Sequence, residues 1–213
     1  MRKSLLAALF ILPFLLQAQT NDTKAKSILD ELIRKSKTYQ TIKAEFTYKL
    51  ENKKNKVSDS YQGSVMIKGN RYRLSVAGQT VIYNNNTVWT YIKSANEVQI
   101  NSTEESEDAV TPTNIFDGSY LKNFKPKYIS EGPVRGKTVH IIDMIPLKGK
   151  SYFKVRLEIE KSNSQIASFA VYDKNGSVYS YIINKFQTNM NLNDDTFVFR
   201  SSEFPGAEIN DMR

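Results

Sequence analysis

QTVIYNNNTVWTYIKSANEVQI, residues Gln79 to Ile100, holds three short runs of β-branched and aromatic residues separated by two polar turns. Val81-Ile82-Tyr83 is the first run, Val88 to Ile92 the second and Val98-Gln99-Ile100 the third. Such side chains pack well on a pleated surface. Asn84-Asn85-Asn86 and Ser94-Ala95-Asn96 suit the turns, because Asn tolerates the left-handed conformation that tight hairpins require. The stretch predicts a β-meander, and the chain on both sides is patterned to extend it into one antiparallel sheet.

Upstream, Tyr72, Leu74 and Val76 fall in phase after the turn Lys68-Gly69-Asn70, and Tyr61, Gly63, Val65 and Ile67 share a face before it. Ile42 to Leu50 alternates cleanly between apolar and polar residues, as a half-buried strand does. Before the strands, Ile28, Leu29, Leu32 and Ile33 recur at helical spacing within Asn21 to Tyr39, with Thr20 to Thr23 offering cap chemistry. This amphipathic helix is expected to lay its apolar stripe on the sheet. Met1 to Ala18 reads as a secretory signal: Arg2 and Lys3, then an apolar run from Leu5 to Leu16, then the small residue Ala18. The mature protein, residues 19–213, is expected to be one exported domain. Without a cysteine it suits a bacterial periplasm.

Downstream, Ser102 to Asn123 breaks the β pattern. Glu104, Glu105, Glu107 and Asp108 lack the spacing of a cation-binding loop. Thr111, Pro112 and the apolar Ile115, Phe116, Tyr120, Leu121 and Phe124 predict one or two short helices, and a long connection carrying its own helices is often a lid. Alternation then resumes. Short strands are expected at Tyr128–Glu131, Val134–Ile145, Tyr152–Glu160, Ile166–Tyr172 and Val178–Phe186, with turns at Gly132-Pro133 and Asn175-Gly176. A last strand is expected at Thr196–Phe199 and a tail from Glu203 to Arg213. Ten or eleven strands in one continuous sheet must curl. The fold expected is mainly β: an incomplete antiparallel barrel whose apolar concave face is covered by the N-terminal helix and the Thr111–Phe124 insert.

Composition excludes most chemistry. No cysteine and a single histidine, His140, leave zinc sites and nucleophile triads short of parts. Neither a G-x-S-x-G turn nor a phosphate loop is present. The formal charge of +8 is dispersed, and the aromatics sit in apolar strands, which argues against nucleic acid. Trp89 lies in phase with Tyr91 in a strand, so it reads either as core or as a surface that stacks on a ligand. No cofactor and no enzyme activity are expected.

Four stretches carry a resemblance to the LolA family, the periplasmic carriers of outer-membrane lipoproteins. Ala44-Glu45-Phe46-Thr47-Tyr48 resembles its first strand. Gly63 to Lys68 with Arg71-Tyr72-Arg73-Leu74 resembles its second hairpin. Val81 to Tyr91 resembles its central segment, with Asn85-Asn86 in place of Asp-Gly. Phe197-Val198-Phe199, Pro205-Gly206 and Ile209-Asn210-Asp211 resemble its closing motif.

The resemblance implies a half-barrel with a helical lid over an apolar cavity and acyl-chain binding without catalysis. It also implies acylated lipoproteins as cargo, an inner-membrane ABC-type extractor as donor, and an outer-membrane acceptor or membrane as receiver. A monomer is expected. The lipid-facing residues implied are Phe46, Tyr48, Val65, Ile67, Leu74, Trp89, Leu157 and Phe169, with Ile115 and Phe116 from the lid. The family's lid-latching Arg has no direct counterpart. Lys68 or Arg71 would stand in for it, and its partner-docking aromatic would fall at Tyr72 or Arg73. A second reading is a relative on the same fold that senses or moves another lipid or a glycolipid.

Overall fold

The computed structural model describes residues 13–102 and 112–213, with side chains described from residue 22 onward apart from 114, 116, 117, 119 and 120. Most of the expected leader and the acidic loop therefore lie outside the described residues. Twelve strands form one sheet: β1 (Thr41–Asn52), β2 (Val57–Lys68), β3 (Arg71–Val76), β4 (Gln79–Tyr83), β5 (Thr87–Ile92), β6 (Glu97–Ser102), β7 (Phe124–Val134), β8 (Lys137–Pro146), β9 (Tyr152–Glu160), β10 (Gln165–Asp173), β11 (Ser177–Thr188) and β12 (Glu208–Asp211). Their order is β12-β6-β5-β4-β3-β2-β1-β11-β10-β9-β8-β7, so β1 joins two meanders and β12 and β7 are the open edges. Helix α1 (Pro13–Ser36) precedes the sheet, and α2 (Pro112–Asp117) with a 3₁₀ turn at Ser119–Asn123 forms the expected insert between the meanders.

The sheet has two differently used faces. On the concave face, Ala25, Leu29 and Leu32 of α1 are buried in one cluster with Ile42, Ala44, Phe46, Val65, Ile67, Ile142, Met144, Val155, Leu157 and Ile159. Burying such side chains contributes about 1.5–3 kcal/mol each, so this face supplies most of the fold's driving force. On the convex face, Ile82, Trp89 and Ile100 stand in one row across β4, β5 and β6. The C-terminal segment covers them: Trp89 stacks on Phe199 at 5.9 Å, Tyr91 meets Phe204 at 4.5 Å, and Phe197 is wholly buried.

Four expectations are corrected. Thr196–Phe199 is not a strand: Asp194–Phe197 is a 3₁₀ turn whose cap Asn193 accepts from the Asp195 amide, and it drives Phe197 onto the convex face. The tail holds β12, which pairs parallel with β6 through Ile209 and Val98. Gly132-Pro133 does not turn; both lie inside β7, which pairs only with β8, and proline is tolerated on such an edge. The turn is Arg135-Gly136, with φ of 49° and 77°, the two-residue geometry that matches strand twist. Helix α1 also extends to Pro13, upstream of the expected start at Asn21.

Candidate functional site

Between the concave face and α2 lies an apolar cavity of about 180 Å³. Phe46, Val65, Leu74 and Phe169 line it from the sheet and Ile115 from α2, five of the residues that the resemblance implied. Pro112, Val171, Tyr181 and Ile183 complete the wall. The sequence missed the two β11 residues because β1 and β11 shift register between Glu45 and Phe46, skipping Asn184. That bulge puts Tyr181 and Ile183 on the same face as Phe186, breaking simple alternation.

Exposure rises along the concave face in one direction. Ile42, Ala44 and Phe46 are buried, whereas Tyr48 and Leu50 are half-buried; Ile67 and Val65 are buried, whereas Tyr61 is exposed. The cavity therefore opens toward the β1–β2 turn, which we term the distal end. An aromatic wall leads out to it. Phe169 stacks on Tyr181 at 4.4 Å, Tyr181 meets Tyr48 at 5.2 Å, and Tyr48 stacks on Tyr61 at 6.3 Å. Burial, with Tyr48 and Tyr179 nearby, pushes the Tyr181 phenol up to about 12. Burial also raises that of Tyr48, with Tyr179, Asp59 and Tyr61 adding to it. Both hydroxyls are thus neutral donors at ordinary pH, standing where an apolar cavity meets water.

The lid is seated on α1 at one close point. Gly118 joins the two lid pieces with φ 74°, and a Cβ built there would sit 2.4 Å from Ile33 Cγ1 and 2.6 Å from Ile33 Cδ1. Only glycine combines this conformation with this approach. At the far side of the lid, the Leu147 amide donates to the Asn123 carbonyl at 2.9 Å, tying the lid to the β8–β9 loop.

The other sequence-selected residues fall elsewhere. Ile67 is buried near a recess of about 300 Å³ with Tyr39 and Thr113, and Leu157 is sealed in the core. Trp89 points to the convex face, away from the cavity. The Phe116 side chain lies outside the described residues. The basic residues of the second hairpin hold the C-terminal segment and not the lid. Lys68 and Arg71 both pair with Asp194, at 2.8 and 2.9 Å, and Arg73 pairs with Glu203 at 2.6 Å. Tyr72 is buried on the concave face against Tyr83.

Among the described residues no group of His, Asp and Glu could hold a metal ion. His140 Nδ1 is buried 3.4 Å from a Glu131 carboxylate oxygen without a hydrogen bond, and burial lowers its pKa against the pull of Glu131. It lies apart from the cavity-lining residues. No described helix is long and apolar enough to cross a membrane.

Residues 37–200 match the family described as outer membrane lipoprotein carrier protein LolA. The chain belongs to the LolA family. Its fold is shared with an uncharacterized conserved protein from Thermus thermophilus, which is 13% identical with a TM-score of 0.58, over 88% of this chain and 99% of that one. It is also shared with the Mycobacterium tuberculosis lipoprotein LppX, 11% identical with a TM-score of 0.53, over 81% of this chain and all of the other. No curated protein matches the chain in sequence. The lid-covered cavity agrees with a family of lipoprotein carriers.

Proposed function

We propose that this LolA-family protein is a periplasmic carrier that shields the acyl chains of lipoproteins in its apolar cavity and moves them from the inner to the outer membrane. The observation that carries the reading is the cavity itself: five side chains chosen from sequence converge with Pro112, Val171, Tyr181 and Ile183 under α2. A long acyl chain gains on the order of 10 kcal/mol on leaving water, at about 0.8 kcal/mol per methylene. An apolar cavity supplies the same gain as a membrane, so loading and release are both near balance. An energised extractor then drives loading, and a receiving membrane or acceptor takes the cargo.

The volume supports a moving lid. A dry cavity of about 150 Å³ holds one benzene-sized guest, and 180 Å³ is little more. A full acyl chain fits only if α2 rises from the sheet, with the head of the cargo leaving along the wall of Tyr181, Tyr48 and Tyr61. The same narrowness supports a second reading, a carrier or sensor of a single-chain lipid or glycolipid.

Mass spectrometry of material co-purified with the protein from its own periplasm tests both. Acylated lipoproteins support the first reading, and protein-free lipids or glycolipids support the second. A bare protein that also takes up no acylated lipoprotein from spheroplasts refutes the carrier.

A further inference from the structure

The two ends of the sheet are charged in different ways. At the proximal end, near the C-terminus of α1, most turn cations are ion-paired, Lys37 excepted: Lys68 and Arg71 with Asp194, Arg135 with Glu158, Lys137 with Glu160 and Lys161 with Glu131. At the distal end four of the five turns between paired strands, 53–56, 93–96, 147–151 and 174–176, contain lysine and no acidic residue, and the fifth is Ala77-Gly78. Lys53, Lys54, Lys56, Lys93, Lys148 and Lys174 are exposed there, and among the described residues none of the six forms an ion pair. Strand direction brings these turns together, because β1, β3, β5, β8 and β10 all run toward this end.

The distal end also carries exposed apolar side chains. Leu147 is 64% exposed, the highest value among the large exposed hydrophobics, and Phe153 and Tyr61 are 49% and 44% exposed. Leu147 and Phe153 bracket the β8–β9 loop, whose exposed Lys148 stands between them. Exposed apolar residues set among unpaired lysines fit a surface that is negatively charged outside and apolar just beneath. An acidic protein would account for the lysines alone. An anionic bilayer accounts for both, since lysines meet headgroups while Leu147 and Phe153 enter the acyl boundary.

We propose that the distal end is a membrane-docking surface that seats the protein on anionic phospholipid with its cavity mouth facing the bilayer. The Leu147–Asn123 hydrogen bond then puts the lid's anchor at the membrane surface, so docking and lid movement share one loop. This deepens the carrier reading, on which its purpose rests.

The test is co-sedimentation of the protein, collected after export, with vesicles of phosphatidylcholine alone and of phosphatidylcholine mixed with phosphatidylglycerol. Binding to the anionic vesicles only is expected at low ionic strength, and its loss near 1 M salt, where the screening length is about 3 Å. A lysine near such a surface is worth about fivefold in affinity, so K53Q/K54Q/K56Q together should weaken binding by about a hundredfold. Leu147→Asp should weaken it by about tenfold or more. Lys137→Gln and Lys161→Gln at the proximal end should change nothing. Equal binding to both vesicle types, binding to neither, or greater sensitivity to the proximal lysines overturns the proposal. Uptake of a fluorescent fatty acid is measured in parallel. The distal variants should retain it, whereas a protein that docks but takes up no acyl probe contradicts the carrier reading alone.

Discussion

Replacing Gly118 with alanine should unseat the lid without unfolding the sheet. The left-handed conformation at φ 74° costs a non-glycine residue about 1–2 kcal/mol. The new methyl would lie 2.4 and 2.6 Å from Ile33 Cγ1 and Cδ1, so lid and helix must separate by about 1 Å or the Ile33 side chain must leave its rotamer. Overpacking of this kind adds about 1–3 kcal/mol. Together the docked lid loses about 2–5 kcal/mol, a shift of about thirtyfold to several thousandfold in the opening equilibrium. Hydrogen exchange read by mass spectrometry over residues 112–123 should accelerate by at least thirtyfold. Peptides from β1 and β11 should keep their protection. Adding Ile33→Ala removes the clashing atoms but leaves a Cβ at an ordinary 3.5 Å, so the double variant should recover part of the protection. Unchanged exchange in the lid refutes the reasoning. So does an equal rise in β1 and β11, which would make Gly118 a determinant of the whole fold.

Three further outcomes follow from the geometry. Asp143 is 7% exposed and accepts from Arg156 at 2.7 and 2.9 Å and from Lys154 at 3.2 Å. Burial works to raise its pKa, but these two cations outweigh it and hold it below the usual carboxylate value. Because the folded pKa is depressed, the stability it gives is present above about pH 4 and lost as pH falls through the folded value. Asp143→Asn should cost about 2–3 kcal/mol at neutral pH by urea unfolding and flatten the acid limb of stability against pH. The Tyr181 phenol, raised to about 12, stabilises the fold up to about pH 10 and loses this as pH climbs to the folded value. Tyr181→Phe should therefore move alkaline unfolding, followed by circular dichroism, to higher pH. Trp89, the single tryptophan, stacks on Phe199 behind the sheet. Its emission should stay constant through a titration with an acyl ligand, whereas a tryptophan placed at Phe46 in a Trp89→Phe protein should shift to the blue.

The sheet was legible because its code is local. Ile42 to Leu50 shows its buried face in every second letter, and Asn175-Gly176 announces its hairpin without reference to the rest of the chain. The cavity residues Phe46, Val65, Leu74 and Phe169 followed from the same parity. Sequence reading failed where a long-range contact decides. Trp89 is apolar and in phase, but which face its row occupies depends on the C-terminal segment that comes to cover Ile82, Trp89 and Ile100. Lys68 and Arg71 sit where a latch was expected, and Arg73 where partner docking was, but their partners Asp194 and Glu203 lie more than a hundred residues away. Phe197-Val198-Phe199 has strand composition, but the 3₁₀ turn Asp194–Phe197 takes its first residue, and the convex face takes both Phe197, which is buried, and Phe199, which stacks on Trp89. The bulge at Glu45/Phe46 is invisible to alternation, and it hid Tyr181 and Ile183.

The pairing of β1 with β11 also sets the order in which the protein can assemble. Ile42 meets Thr188, so this contact closes a loop of well over half the chain. Strands β1 to β6 pair with their sequence neighbours and can form as soon as they are made, at small entropic cost. One side of β1 must then wait, unpaired, until residues 177–188 have been synthesised. High contact order of this kind makes closure slow, and an unpaired apolar edge is the feature through which chains self-associate. The rate-limiting step of folding and the segment most exposed to aggregation are thus the same hydrogen-bonded seam, down the middle of the finished sheet.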